Sequence, residues 1–234
     1  MNKTVAIVQS NYIPWKGYFD LINMVDEFIL YDEVQYTRRD WRNRNQIKTT
    51  NGIKWVTIPV EVKGRYLQKI NETKVATKNW TKQHCSMLTC NYSNAPHFRD
   101  SWSIFGNIYS RCIQENYLSQ INFYFITAIC NFLEIKTKIS WSTDYSLPFF
   151  DNKTERLVNL CKVTKATHYL SGPLASNYLE TNLFAAANIT LGYIDYSNYP
   201  EYPQLFGSFS HNVTILDLIF NTGKDAPKYM KSFL

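Results

Sequence analysis

Apolar positions follow two rhythms at the start of this chain. Val5-Ala-Ile-Val8 and Phe28-Ile-Leu-Tyr31 are short unbroken apolar runs, as expected of strands buried on both faces. Between them Tyr18, Leu21, Ile22 and Val25 recur at helical spacing and form one apolar stripe. Two buried strands around an amphipathic helix predict a parallel βαβ unit. Such units carry ligands at the carboxyl ends of their strands. Gln9 to Trp15 and Asp32 to Gln35 are therefore expected to face one crevice.

Further along, Gln46 to Thr50 and Ile53 to Val60 read as a hairpin about Asn51-Gly52 with a type I′ turn, and Pro59 puts the second arm near an edge. Helical spacing predicts helices over Asn79 to Asn91, Phe98 to Tyr109 and Leu118 to Leu133, the last apolar nearly all round. Strands return at Thr137 to Trp141, His168 to Ser171 and Thr190 to Tyr196. Between them lie helices opened by Asn152, in a capping box with Glu155, and at Asn177. A final helix is predicted from Asn212 to Asn221, with Gly223 as its stop. The expected fold class is α/β: one domain with a parallel-sheet core from residues 1–60 and 137–234, a β-hairpin insertion, and a helical cap over residues 78–133.

Composition adds rings and charge. Aromatic residues reach 16%, as 17 Tyr, 14 Phe and 6 Trp, enough to wall a pocket with apolar faces and polar tips. Net charge is +6, from 25 Lys plus Arg against 19 Asp plus Glu, and Arg38, Arg39, Arg42 and Arg44 concentrate part of it beside the expected crevice. A local cluster suits a phosphate or an acidic carrier, and with no groove-binding motif no nucleic-acid partner is expected. Five cysteines without CxxC spacing, and four histidines without pairwise spacing, support neither a disulfide framework nor a metal site. With no signal-like segment and no apolar run long enough to span a membrane, a reducing, cytoplasmic location is expected.

Several residues could carry chemistry. His84 lies on an apolar helix face and is either a satisfied core histidine or a general base. Asp32 ends a strand at the ligand-bearing edge. Strand alternation puts Arg42 and Arg44 on one face and Asn43 and Asn45 on the other, and guanidinium forks suit phosphate or carboxylate. Cys161 is either a buried small hydrophobe or an acyl-carrying thiolate. Asp217 interrupts an apolar helix and needs a partner, with an ion pair to an arginine as the plain account. Tyr202 and Gln204 stand in an aromatic-Pro loop as wall and anchor for a polar ligand.

Gln9-x-Asn-Tyr-x-Pro-Trp-x-Gly-Tyr18, Asp32-x-Val-Gln35, Trp41-x-Asn-Arg-Asn45, Trp80-x-x-x-His84, Lys153-Thr-Glu-Arg-Leu157, Tyr169-Leu-Ser-Gly172 and Tyr202-Pro-Gln204 run in order over nearly the whole chain. In these blocks the chain resembles the WbqC-like family, with Gln9-Ser10 where that family usually has Gln-Pro. The resemblance implies a role in O-antigen or related lipopolysaccharide and polysaccharide biosynthesis, as an N-acyl- or aminoacyltransferase joining an acyl group to an amino sugar. No resident cofactor is implied. The co-substrates would be an amino-sugar nucleotide and a phosphopantetheine-linked or CoA-linked thioester, the former on an acyl carrier protein.

On that reading His84 is the base, oriented by Asp32, and Cys161 is the alternative covalent carrier. Gln9, Gln35 and Asn45 steady the developing oxyanion, and Arg44 holds a phosphate. Asn11, Tyr12, Trp15, Tyr18, Ser171, Tyr202 and Gln204 complete the substrate site. The strand, turn and helix at the start are also similar to HUP-type nucleotidylyltransferases. Those carry His-x-Gly-His where this chain has Trp15-Lys-Gly-Tyr18, so nucleotidyl transfer, ATP-driven ligation and a non-catalytic sugar-binding role stand as alternatives.

Overall fold

A computed structural model describes residues 2–148 and 150–234. Its centre is a five-stranded sheet in the order β5-β2-β1-β6-β7, every neighbouring pair parallel. The strands are β1 (Thr4–Val8), β2 (Glu27–Leu30), β5 (Lys138–Trp141), β6 (His168–Ser171) and β7 (Thr190–Tyr193). The chain builds outward from β1 to β2 and β5, then returns to β6 on its other side, so the order reverses between β1 and β6. At such a reversal the following loops diverge and leave a crevice.

The alternation of side chains along each strand divides the interior in two. Ala6, Phe28 and Leu30 face the larger core, shared with α1 (Lys16–Asn23), α2 (Trp80–Tyr92), α3 (Phe98–Cys112), α4 (Leu118–Phe132) and α7 (Ile215–Thr222). Val5, Ile7 and Ile29 face the smaller one, with α5 (Lys153–Val163) and α6 (Thr181–Ala186). The helices over residues 78–133, expected as a cap, share the larger core with the sheet. Trp80, Phe105 and Phe125 are fully buried in the core that holds Tyr12 and Phe19, and of α4 only Asn131 is exposed. α4, apolar on several faces, lowers its exposure by packing into the sheet's own core, and α2 and α3 bury one face each there.

The hairpin forms as β3 (Arg44–Thr49) and β4 (Gly52–Thr57), a separate two-stranded sheet. Its turn differs from the expected one. Thr50 and Asn51 make the bend with ordinary backbone angles, and Gly52 at φ 90° stands just beyond it. A type I′ turn needs positive φ at both central residues. Asn152 accepts from the backbone N–H of Thr154 and Glu155 at 2.7 and 3.2 Å and caps α5 as expected. α7 starts later than its pattern implied, because Thr214 rather than Asn212 caps it, accepting from Leu216 N–H.

Among the described residues no helix is long and apolar enough to cross a membrane, and all five cysteines are free.

Candidate functional site

The turn after β1 is built under strain. Ile13 has φ 36°, a region that β-branched residues avoid. Four contacts hold it there. The Asn45 amide donates to the carbonyls of Tyr12 and Ile13 at 3.1 and 2.9 Å. Tyr12 N–H donates to Trp41 O at 3.0 Å, and Ile215 N–H to Pro14 O at 3.0 Å. Strain retained by so many contacts points to a position that matters. What the turn positions is Trp15. Its indole lies across Gly17, where a Cβ would come within 2.3 Å of the ring.

Trp15 then forms one wall of a cleft of about 220 Å³, completed by Asn11, Pro14, Trp41, Asn45, His211, Asn212 and Val213. Rings of Tyr196 and Tyr199 back Trp15 at 5.0 and 5.4 Å. Arg42 braces the turn from the side, donating to the amide oxygens of Asn11 and, at 3.1 Å, of Gln9. That leaves the N–H₂ groups of both amides to donate elsewhere. Beside Trp15, Lys16 is 4% exposed, donates to Pro200 O at 2.7 Å, and is held down at about 8 by burial.

His211 is half-buried in this cleft, and its Nδ1 has no partner. Burial, with the positive charge of Lys16, lowers its pKa, so the imidazole is neutral at neutral pH. Sequence reasoning missed it. His211 precedes an apolar helix and follows an aromatic loop, and no spacing ties it to residues 11–15.

Of the residues expected at the site, Asn11, Trp15 and Asn45 line the cleft, with Gln9 behind them. The others lie elsewhere. His84 is 3% exposed; its Nε2 faces the Thr57 carbonyl at 3.2 Å and must carry the proton, while Nδ1 accepts from Tyr12 O–H at 2.8 Å. Burial depresses its pKa to about 4. With both nitrogens occupied and the ring buried, His84 sits in the core and not in the cleft. Tyr12 is fully buried between His84 and the Tyr109 hydroxyl, so it holds the core and walls no pocket.

Cys161 is fully buried among Val5, Ile7 and Tyr169, in the smaller core, and burial pushes its thiol up to about 12. His84 packs with Tyr12 and Trp80 beside the other core, so the expected thiolate and base do not meet. Asp32 is 1% exposed and accepts from Ser10 N–H at 2.8 Å, Ser10 O–H at 2.6 Å and Ser119 O–H. Burial raises its pKa against those hydrogen bonds. It fastens the turn to α4 and orients no histidine.

Tyr18 is buried and donates to Gln9 O. Gln35 is exposed and donates to Tyr66 O at 2.7 Å, in a different loop pair. Arg44 stacks 4.0 Å over the Trp55 ring and donates to Arg39 O, so Arg42 is the guanidinium at the turn. Ser171 is buried at the end of β6, 3.4 Å from Tyr169 Oη. Tyr202 and Gln204 both donate to Asp217 at 2.7 Å. They anchor their own loop, and the cation beside Asp217 is Lys48, bonded to Gln204 Oε1 at 2.7 Å, not an arginine.

Asn45→Ala should therefore leave two turn carbonyls without donors and cost about 1–3 kcal/mol. Urea titration checks the loss. An unchanged midpoint would show that the turn holds itself.

The chain matches the WbqC-like protein family over residues 9–229. It is 51% identical over 229 residues, 98% of each chain, to the uncharacterized protein Rv1507c of Mycobacterium tuberculosis (strain ATCC 25618 / H37Rv). No solved structure matches it. Strained turn, tryptophan-walled cleft and guanidinium brace all fall within the matched region, and the chain belongs to the WbqC-like family.

Proposed function

We propose that the protein is an amide-forming acyl- or aminoacyltransferase acting on a nucleotide-linked amino sugar, with a thioester donor. Support comes first from a family associated with O-antigen-related biosynthesis. The observation that carries the reading is an unpartnered, neutral imidazole, His211, in a small cleft between tryptophans. At about 220 Å³ the cleft is below the usual size of drug-sized pockets and suits a single ring or acyl group.

In the proposed step the sugar amine attacks the thioester carbonyl. The C–N bond forms, His211 accepts the amine proton, the C–S bond breaks, and the proton passes to the departing thiolate. The N–H₂ group of Asn11 donates to the carbonyl oxygen as it gains charge, an effect of order ~3 kcal/mol. His211 takes the place of His84 as base, and attack is direct because Cys161 is unreachable. The HUP-type alternative draws on the strand reversal beside β1.

The test is mass spectrometry of amide product from acyl-carrier-protein or CoA thioesters and UDP-linked amino sugars, without ATP. His211→Ala should lower kcat/KM about 100-fold or more. The acid limb of the rate profile should fall below pH 6.5, since the pKa of His211 lies under its ordinary value. Product that forms only with ATP and Mg²⁺ would support the ligase or nucleotidyl reading instead. Undiminished turnover in His211→Ala would remove this base.

A further inference from the structure

A second cavity, of about 280 Å³, opens at the carboxyl ends of β2 and β5 and shares no lining residue with the Trp15 cleft. Trp141, the last residue of β5, gives it a flat wall, backed by Phe123 at 5.4 Å. The next residue, Ser142, is 2% exposed, yet its hydroxyl has no partner. The side-chain oxygen of Asn71 is also buried and unpartnered. Each carries a desolvation penalty of about 1–3 kcal/mol that nothing in the protein offsets. Buried polar groups in native folds seldom stay unsatisfied, so both oxygens call for a further hydrogen-bond partner at this wall.

The charge of the lining narrows the ligand. Asp32 and Glu33 border the cavity, and no lysine, arginine or histidine does. Glu33 is paired with Arg156, and Asp32 is occupied by Ser10 and Ser119. An anion would enter beside the Asp32 carboxylate with no lysine, arginine or histidine in the lining, which disfavours phosphate and carboxylate ligands. The remaining demands are a donor for Asn71, a hydroxyl for Ser142 and an apolar face for Trp141. A sugar ring presents all three at the size available.

We propose that this cavity binds the ring of a neutral or amine-bearing pyranose, its C–H face on Trp141 and its hydroxyls on Ser142 and Asn71. The site adds to the acyl-transfer reading and does not depend on it, because binding needs no acyl donor. Ser119 also ties it to the neighbouring turn. It bonds Asp32, which holds Ser10, next to Asn11 of the cleft.

Calorimetric titration with methyl glucosaminide and with methyl glucoside tests the proposal, with uridine diphosphate as the anionic control. At least one glycoside should bind. Trp141→Ala should abolish that binding, Trp141→Phe should keep it within a few-fold, and Ser142→Ala should weaken it about 5–10-fold. Absence of heat from both glycosides overturns the proposal. So does binding that survives Trp141→Ala or is displaced by uridine diphosphate. Should Trp141→Ala fail to fold, Ser142→Ala decides: unaltered affinity overturns the site. None of these readings involves product formation, so failure here and failure of the transfer assay are separate results.

Discussion

Replacing Asp217 by alanine is expected to destabilise the protein by about 3–5 kcal/mol, the usual scale for removing one member of a buried charged network. The carboxylate is fully buried in α7 and accepts at 2.7 Å from the hydroxyls of Tyr92 and Tyr202 and from the Gln204 amide. Lys48, 4% exposed, donates to Gln204 at 2.7 Å and to Ser208 O at 2.6 Å; burial raises the Asp217 pKa, and the three hydrogen bonds and the Lys48 charge work against that rise. Without Asp217 three donors lose their acceptor and a buried ammonium loses its counter-charge. Guanidinium denaturation measures the loss. Adding Lys48→Met to the alanine variant should then cost less than adding it to the wild type, since the two sites share one network. Additive losses, or a single-variant effect under ~1 kcal/mol, would show that water already satisfies these groups.

The second large effect is on stability against pH. His84 has a folded pKa of about 4, below the ordinary 6.5, because burial penalises its charged form. Between those values the unfolded chain binds a proton that the folded chain refuses, so stability falls as the solution is acidified. The contribution is fully present above pH 6.5 and lost on the way down to about pH 4, a swing on the order of 3 kcal/mol. Urea midpoints of the wild type and His84→Gln, taken from pH 7 to 4, give the difference. The variant should lose stability at pH 7 and converge on the wild type in acid. A constant gap across the range would mean that His84 has the same pKa folded and unfolded, so that burial does not hold it neutral.

The two central strands β1 and β2 were legible as short apolar runs, and residues 168–171 match their expected bounds at both ends. The helices over 80–132 were legible as helices but not in their placement. Periodicity reports which face is apolar, not what covers it, so Trp80 and Phe125 could equally have belonged to a cap. The same ambiguity misplaced His84. An imidazole on an apolar stripe fits either role until its partners are known, here Tyr12 from 72 residues earlier and the Thr57 carbonyl. The candidate site was half legible. Asn11, Trp15 and Asn45 come from local motifs near one strand end, whereas His211 reaches them only through the fold. Tyr202 and Gln204 were read as ligand contacts because nothing local announced that a buried aspartate 13 to 15 residues on needed their hydrogen bonds.

β1 lies at the middle of the sheet, with β2 on one side and β6 on the other. Its first neighbour is within about twenty residues, but the Thr4–His168 and Val5–Tyr169 pairings wait for chain more than 160 residues downstream. During translation one flank of the earliest strand therefore stays open while most of the polypeptide is still being made. An open apolar flank is a template for stray pairing. A slow ribosome or a warm culture should accordingly turn this protein toward inclusion bodies before any defect appears in the finished molecule.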